Sequence, residues 1–392
     1  MQDDEEKKVQ QGFTFQTTRS VLAEAGASAR IGELARGLGC RSILLVSDSG
    51  VAGAGLLKPA LKGLRESDIG VTMFTDVVAD PPAHVVLAAV DAAKTARIDG
   101  VVSIGGGSSM DVAKLVALLA ASPQRLDDTY GVGNAKGPRL PLILAPTTAG
   151  TGSEVTPISI VTTGEGEKKG VVSPVLLPDW AVLDADLTLG LPQATTAATG
   201  IDAMVHAIEA YTSKRFKNAV SDCLAREALA LLSRNIREVC SNGRNRPARQ
   251  EMLLGSMLAG MAFANAPVAA VHALAYPIGA RFHVAHGLSN ALVLPEVMRF
   301  NAAAATELYA ELAGIVVPDA TGGAAGRTAA LIDYFCRLSS DLGLPTRLRD
   351  VGIKQENVGQ LAEDAMKQTR LLVNNPRELT LADASEIYGA VL

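Results

Sequence analysis

Short apolar runs alternate with alanine- and leucine-rich stretches through the first half of the chain. The runs predicted as strands are "RSILLVSD" (41–48), "GVTMFTDVV" (70–78), "GVVSIGG" (100–106) and "PLILAP" (141–146), with helices predicted at 84–96 and 109–121. The first, third and fourth runs are continuously apolar, which is typical of parallel strands covered by helices on both faces. The pattern predicts an α/β amino-terminal domain with a parallel, Rossmann-like sheet.

The second half shows a different pattern. After "WAVLDADLTLGLP" (180–192) the alternation typical of strands does not return, and the predicted helices are 199–212, 218–240, 250–265, 302–314, 325–342 and 380–391. We therefore predict two domains, an α/β domain at 1–190 and an all-α carboxy-terminal domain at 191–392, with residues 1–10 as a loose tail. A chain of 392 residues is long enough for two such cores.

Composition excludes several classes of protein. The net charge of −5 argues against a nucleic-acid partner, because such proteins generally carry a basic face. The four cysteines form no CxxC pair, so we expect reduced thiols and a cytoplasmic location. The charged start "MQDDEEKKVQ" lacks the apolar core of a secretory signal. Residues 252–280 contain no Asp, Glu, Lys or Arg, but Pro267 and Pro277 interrupt them, so we predict a buried helix of a soluble domain and no membrane partner.

Two glycine-rich loops follow predicted strands. The first, "VVSIGGGSSMDVAK" (101–114), leads from strand to helix, and the second, "LPLILAPTTAGTGSEVT" (140–156), is rich in threonine. Glycines let the backbone approach a ligand, and a helix amino terminus attracts phosphate. A glycine-rich turn alone also fits a plain tight turn, but two such loops at strand ends favour a dinucleotide site.

Asp48 ends another predicted strand. A carboxylate at this position can accept the ribose hydroxyls of NAD and would repel the additional phosphate of NADP. An aspartate before Ser49 and Gly50 is also typical of a residue that starts a turn. The sequence leaves both interpretations open.

Acidic and imidazole side chains in the second half fit a metal site. Asp202 and His206 stand four residues apart in "TGIDAMVHAIEAY" and so lie on one helix face. Thr199 and Asp202 also match a capping box, which would give Asp202 a structural role. Glu209 could support a histidine or face solvent. His272 and His286 begin and end "HALAYPIGARFHVAH", whose helix we expect to break at Pro277. One aspartate and three histidines make a donor set suited to Fe²⁺ or Zn²⁺.

Four motifs together resemble the iron-containing (group III) alcohol dehydrogenase family. They are "GGGSSMDVAK", "TTAGTGSE", "GIDAMVHAIEAY" and "VHALAYPIGARFHVAHGLSNALVLPEVMRFN", and the resemblance extends over essentially the whole chain. It implies a dinucleotide domain and a helical metal domain with the active site between them. The implied cofactors are NAD(H) and one divalent metal, for which Fe²⁺ is favoured over Zn²⁺. The implied oligomer is a homodimer. The implied metal ligands are Asp202, His206, His272 and His286. The implied cofactor-binding residues are Asp48, Gly105, Gly106, Gly107, Ser108, Ser109, Asp111, Thr147, Thr148, Thr151 and Lys168.

The chain departs from the family pattern at two positions. Many members have "HxxxHP" where this chain has "HALAYP", so Tyr276 replaces a second histidine, and Asp80 precedes Pro81 where asparagine is common. Either Tyr276 or His283 could carry a proton, while the alternatives are a packed core side chain for Tyr276 and a surface or supporting residue for His283. Arg281 pointing into the cleft would favour a substrate with a carboxylate or phosphate, but it could instead point outward or bind a cofactor phosphate.

The predicted function is therefore NAD(H)-dependent, metal-dependent interconversion of a small-molecule alcohol and its aldehyde or ketone by hydride transfer, with a carboxylate-bearing substrate such as a hydroxy acid or semialdehyde as one candidate. One alternative is a lyase similar to dehydroquinate synthase, which also uses NAD and a metal. A second is a metal-free reductase of the maleylacetate type, against which an intact set of one aspartate and three histidines argues. A third is a non-catalytic nucleotide-binding protein, which no sequence feature supports.

Overall fold

The amino-terminal half is built on a parallel sheet. The computed structural model describes residues 12–164 and 167–392, so the predicted tail at 1–10 lies outside the described residues. Its elements up to residue 183 are β1 (Ser20–Ala23), α1 (Ile31–Gly37), β2 (Ser42–Asp48), α2 (Ser49–Gly53), α3 (Lys58–Glu66), β3 (Gly70–Val77), α4 (Ala83–Thr95), β4 (Gly100–Gly105), α5 (Gly107–Ala121), β5 (Gly131–Val132), β6 (Leu142–Pro146), β7 (Ile158–Thr163), β8 (Glu167–Val172) and β9 (Trp180–Leu183). Six strands form a parallel sheet in the order β1-β9-β6-β4-β2-β3, and β5, β8 and β7 form a second, three-stranded sheet.

The four predicted strands are confirmed as β2, β3, β4 and β6. Every residue of β4 is buried, and separate apolar cores lie on the two faces of the sheet, as expected of parallel strands between helix layers. Among the strands that the pattern missed, β1 and β9 are only four residues long, β5 is only two, and β8 is interrupted by charge in "EKKGVV". The smaller sheet matters for function because its β7 and β8 line one wall of the cleft described below.

In the described residues, the second half contains helices and no strand. They are α6 (Gln193–Thr212), α7 (Ala219–Ser241), α8 (Arg246–Asn265), α9 (Ala270–Phe282), α10 (His286–Val316), α11 (Ala324–Asp341), α12 (Val358–Met366), α13 (Thr369–Leu372) and α14 (Leu381–Ala390). This confirms the predicted fold class of an α/β half followed by a helical half. Helix α6 lies at the centre of the helical half and is almost wholly buried against α7, α8 and α10.

Two local predictions are wrong. Helix α6 begins at Gln193, so Thr199 lies inside it and donates its hydroxyl to the Thr195 carbonyl at 2.9 Å; it cannot form a capping box with Asp202. Helix α9 does not break at Pro277 but continues to Phe282, and it ends where His283 adopts left-handed backbone angles with φ of 54°. Pro277 is buried, and the packing around α9 holds the helix through a residue that lacks an N–H donor.

The charge-free segment 252–280 forms parts of two helices. Helices α8 and α9 meet at an angle of 106°. Among the described residues, no single helix is both long and apolar enough to cross a membrane.

Candidate active site

A cavity of about 710 Å³ lies between the two halves of the chain. The amino-terminal half contributes the start of α5, the threonine-rich loop and strands β7 and β8, and the helical half contributes α6, α9 and the start of α10. The four predicted metal ligands, Asp202, His206, His272 and His286, line this cavity together with Tyr276. Residues far apart in sequence thus meet in one cleft.

The ligand atoms of the four residues converge. Those of Asp202, His206 and His272 all lie within 4.8 Å of one another. The Nε2 atoms of His206 and His272 are 3.1 Å apart, and Oδ1 of Asp202 lies 3.6 Å from Nε2 of His286. Asp202, His206 and His272 are buried, and His286 is about one third exposed on the cleft side. The donor atoms are therefore enclosed on the side of Asp202, His206 and His272 and accessible from the cleft on the side of His286.

Hydrogen bonds fix the tautomers of two of these histidines. Nδ1 of His206 lies 3.2 Å from the carbonyl oxygen of Gly150, which can only accept, so Nδ1 carries the proton. Nδ1 of His272 lies 2.6 Å from a carboxylate oxygen of Glu209, and the other oxygen accepts the Val271 N–H at 2.7 Å. Glu209 is buried, so it supports a histidine and does not face solvent. Orientation of this kind through the second nitrogen is usual for metal-binding histidines.

These contacts make the site suitable for a cation. With both Nδ1 atoms protonated, the Nε2 lone pairs of His206 and His272 face each other across 3.1 Å and need a positive charge between them. Two nitrogens bound tetrahedrally at the usual metal–nitrogen distance would be about 3.4 Å apart, close to the observed separation. Nitrogen and oxygen donors suit Fe²⁺ or Zn²⁺.

Electrostatics in the site agree with that arrangement. Burial lowers the pKa of His206 to about 3, which keeps its imidazole neutral, and burial also lowers the pKa of His286. Burial opposes ionisation of Asp202, but the three imidazoles outweigh it and lower the pKa of the carboxyl. Burial would lower the pKa of His272, yet the Glu209 carboxylate raises it above its ordinary value. In the absence of metal, a proton on His272 can supply the positive charge.

Two glycines allow the helices and loops to approach closely enough to form this site. A Cβ on Gly287 would lie 2.4 Å from the Ala198 carbonyl oxygen, so only glycine lets the start of α10 bring His286 to Asp202. A Cβ on Gly150 would lie 2.8 Å from Cβ of Thr199, so glycine also lets the threonine-rich loop contact α6. The Gly150 carbonyl reaches His206 for that reason.

Asn290 is a residue that the sequence interpretation missed. Its amide nitrogen donates to Oδ1 of Asp202 at 2.6 Å and lies 3.3 Å from Nε2 of both His272 and His286. Its buried Oδ1 has no hydrogen-bond partner among the described residues. The spacing could have revealed it, because Asn290 follows His286 by four residues and lies on the same face of α10.

The first glycine loop leaves room for a ligand at its centre. A Cβ on Gly105 would lie 2.5 Å from the side chain of Ser109, and one on Gly107 would lie 2.9 Å from that of Thr151, whereas one on Gly106 would meet nothing within 4 Å. Gly106 immediately precedes α5, a helix of 15 residues whose first amides have no partner within the helix. The loop therefore provides an open cradle suited to the pyrophosphate of a dinucleotide.

Other predicted cofactor residues surround the cradle in different ways. Ser108, Thr151 and Lys168 line the cavity, while Thr148 is half-buried in the threonine-rich loop. The remaining members of this group make structural contacts. Ser109 packs against Gly105, and the Thr147 N–H donates to the Gly105 carbonyl. Asp111 lines the cavity, but its carboxylate accepts from the Ser153 hydroxyl and the Ile160 N–H. Both oxygens of Asp111 are thus used by the protein itself.

Asp48 satisfies both interpretations of its position. One carboxylate oxygen accepts the Val51 N–H at 2.9 Å and caps α2, as expected of a residue that starts a turn. The other oxygen lies 3.7 Å from the position of a Cβ on Gly105, next to the cradle. That second oxygen makes no hydrogen bond to the described residues and is free to accept from a ribose.

The predicted residues between His272 and His286 separate into one that lines the cavity and two that do not. The Tyr276 ring is centred 5.8 Å from the ring of His286, and burial raises the pKa of its phenol. His283 is exposed at the end of α9 and does not line the cavity. Arg281 points outward and pairs with Asp364 at 2.5 Å, so the expectation that it reaches into the cleft is wrong. Its guanidinium is held by a carboxylate of α12.

Comparison with known proteins agrees with this geometry. A family model described as iron-containing alcohol dehydrogenase matches residues 18–185, and one described as the C-terminal region of the Fe-containing alcohol dehydrogenase family matches residues 196–392. Long-chain-alcohol dehydrogenase 1 of Geobacillus thermodenitrificans is 41% identical over 362 residues, which cover 90% of each chain.

Solved structures show the same architecture. A 1,3-propanediol oxidoreductase superposes with a TM-score of 0.94 at 35% identity, covering 97% of this chain and 100% of the other. Sulfoacetaldehyde reductase from Bifidobacterium kashiwanohense, solved in complex with NAD⁺, superposes with a TM-score of 0.87 at 28% identity, covering 97% and 98% of the two chains.

Proposed function

The chain belongs to the iron-containing alcohol dehydrogenase family and is an NAD-dependent oxidoreductase that interconverts alcohols and aldehydes, and we propose that it reacts at the cavity between its two halves. The observation that carries this proposal is the convergence of Asp202, His206, His272 and His286 in the same cavity as the glycine-rich loop. One group of residues suits a metal ion, and the other suits a dinucleotide.

Each group of residues has a defined task in the reaction. When bound, the cation polarises the substrate oxygen and NAD(H) accepts or supplies the hydride. Asp202 and the three histidines hold the cation, and Glu209 and the Gly150 carbonyl keep two of the imidazoles in the ligating tautomer. The open cradle at Gly106 holds the cofactor phosphates at the start of α5.

We assign Fe²⁺ as the favoured ion, on the basis of family membership, with Zn²⁺ equally compatible with the donor set. We also assign preference for NAD over NADP to the free oxygen of Asp48, which lies beside the cradle where an additional ribose phosphate would be repelled. We also propose that Tyr276 carries a proton in the reaction, because its phenol lines the cavity with its ring centred 5.8 Å from that of His286 and a phenol can act as a general acid. A cytoplasmic location, supported by four free cysteines, and a homodimer remain predictions.

Metal analysis combined with NADH oxidation tests the proposal. The protein as isolated should contain metal and oxidise NADH with neutral aldehydes, chelation should abolish turnover, and Fe²⁺ or Zn²⁺ should restore it. The His272→Ala variant should lose both metal and turnover. Full activity of metal-depleted protein would instead favour the metal-free maleylacetate type of reductase. Retention of NAD and metal without net NADH oxidation by any aldehyde would favour the lyase alternative.

A further inference from the structure

The cleft carries basic side chains with different partners. Lys168 pairs with Asp80 at 2.7 Å, which neutralises it. Arg370 and Arg215 also line the cavity, but no acidic group of the described residues lies within ion-pair distance of either, and neither guanidinium makes a hydrogen bond there. Exposed arginines without a protein acceptor, directed at a cavity, are suited to bind an anion.

Arg370 extends across the cleft. It is on the short helix α13 of the helical half, yet its Nη2 atom lies 4.0 Å from the position that a Cβ on Gly170 would take, on strand β8 of the other half. Its charge also acts on the phenol of Tyr276: burial raises the pKa of Tyr276, and Arg370 partly offsets that effect. Arg370 and the four predicted metal ligands line the same cavity, and so does Tyr276, whose ring is centred 5.8 Å from that of His286.

Arg215 comes from a neighbouring segment. The loop at 213–217 follows α6, and its Lys214 N–H donates at 2.7 Å to the Asn374 carbonyl, just beyond α13. This hydrogen bond connects the segments that carry the two arginines. The exposed ring of Phe216 also lines the cavity, so the charged groups have apolar neighbours.

We propose that Arg370, assisted by Arg215, binds the carboxylate or sulfonate of a short aldehyde or alcohol whose reacting carbon lies at the metal ligands. The inference rests on the proposed function and adds the class of substrate. A cofactor phosphate is a poorer occupant, because the open cradle for phosphate is at Gly106, whereas Arg370 lies against strand β8 at Gly170. Arg281, which the sequence offered as one candidate for this role, is neutralised by Asp364 outside the cavity.

Matched substrates and matched variants test this assignment. Succinic semialdehyde is compared with its methyl ester, and sulfoacetaldehyde with propanal, in the wild type, Arg370→Met, Arg370→Lys and Arg281→Met. A charge-assisted hydrogen bond corresponds to about a tenfold preference or more. The ratio of kcat/KM for the anionic over the neutral substrate should therefore fall at least about tenfold in Arg370→Met, recover partly in Arg370→Lys and stay unchanged in Arg281→Met.

A binding measurement separates recognition from turnover. Butyrate, an unreactive carboxylate, should change the NADH fluorescence of the metal-depleted protein, and Arg370→Met should weaken its binding at unchanged affinity for NADH. An unchanged substrate ratio in Arg370→Met, or a change in NADH affinity instead, would overturn the proposal. Wild-type turnover of propanal without any preference for anions would refute this inference alone, while failure of all aldehydes would refute the proposed function as well.

Discussion

Replacing Glu209 by glutamine tests how the protein prepares His272 to bind metal. The carboxylate of Glu209 receives two N–H groups, one from Nδ1 of His272 at 2.6 Å and one from the Val271 backbone at 2.7 Å. A glutamine of the same size has only one acceptor oxygen, and its NH₂ group is a donor. One of the two N–H groups must therefore face another donor, unless His272 changes its tautomer.

The tautomer change follows from the backbone. The Val271 N–H has no alternative proton position, so the glutamine oxygen should turn to it and the NH₂ group should face Nδ1 of His272. That nitrogen must then accept, which moves the imidazole proton to Nε2. Because Nε2 is the atom that faces His206 at 3.1 Å, the ligand would have to lose or move a proton before binding metal.

The expected loss of metal affinity is about 10- to 100-fold, the usual effect of removing a partner of a metal-bound histidine, or about 1.4 to 2.7 kcal/mol. Competition with a metal-binding dye at fixed pH measures the affinity of Glu209→Gln for Zn²⁺ directly, without relying on turnover. Thermal unfolding of the metal-free variant provides the second observation. The variant should remain folded at the temperature of the dye assay, because an Nε2–H of His272 can still donate to His206.

Glu238→Gln is the matched control. Glu238 lies on the exposed surface of α7 and accepts from the amides of Asn242 and Asn245, so glutamine at this position should leave metal affinity unchanged. The reasoning is refuted if Glu209→Gln binds Zn²⁺ within twofold of the wild type. It is also refuted if the metal-free variant unfolds far more readily, since the loss would then reflect disruption of the core.

Three further predictions test other parts of the structure. His206→Ala should reduce bound metal, measured by elemental analysis, to well below one equivalent, while His283→Ala, exposed at the end of α9, should retain it; equal loss in both would contradict the ligand assignment. Asp48→Asn keeps a cap for α2 but removes a charge, so the ratio of kcat/KM for NAD over NADP should fall about tenfold, and an unchanged ratio would exclude Asp48 from selectivity. Burial raises the pKa of Glu154 to about 7, so the folded wild type binds more protons than the unfolded chain and loses stability as pH rises from 4.5 to 7. Relative to the wild type, Glu154→Gln should therefore gain on the order of 2 kcal/mol in urea unfolding between pH 5.5 and 8, and a gain independent of pH would contradict it.

The sequence predicted elements that have strong local patterns. The continuously apolar strands β2, β4 and β6 were found within two residues, because burial on both faces leaves an unbroken run. The start of α6 was misplaced, since Thr199 resembles a helix cap when only its neighbours are considered. The helix around Pro277 was divided too early, because packing against neighbouring helices overrides the local preference of proline.

The candidate site shows the same limit at the level of side chains. Residue type and spacing were enough to predict that Asp202 and His206 lie side by side, because residues four apart share one face of a helix whatever the rest of the fold is. The partner of Glu209 could not be predicted in this way: it is His272, 63 positions away and on another helix. Arg281 and Arg370 illustrate the point further, since their roles depend on whether a carboxylate such as Asp364 lies within reach.

The structure separates the groups that hold the metal ligands from those proposed to recognise the substrate. The Gly150 carbonyl orients His206, and the Val271 N–H holds the Glu209 carboxylate that orients His272. Because both of these groups belong to the main chain, substitutions of surrounding side chains leave them in place. Arg370, by contrast, is on a helix of four residues, and Arg215 is on a loop, so their side chains can change without moving α6 or α9. It follows that substrate preference can vary at these two positions while the geometry of the metal ligands stays constant.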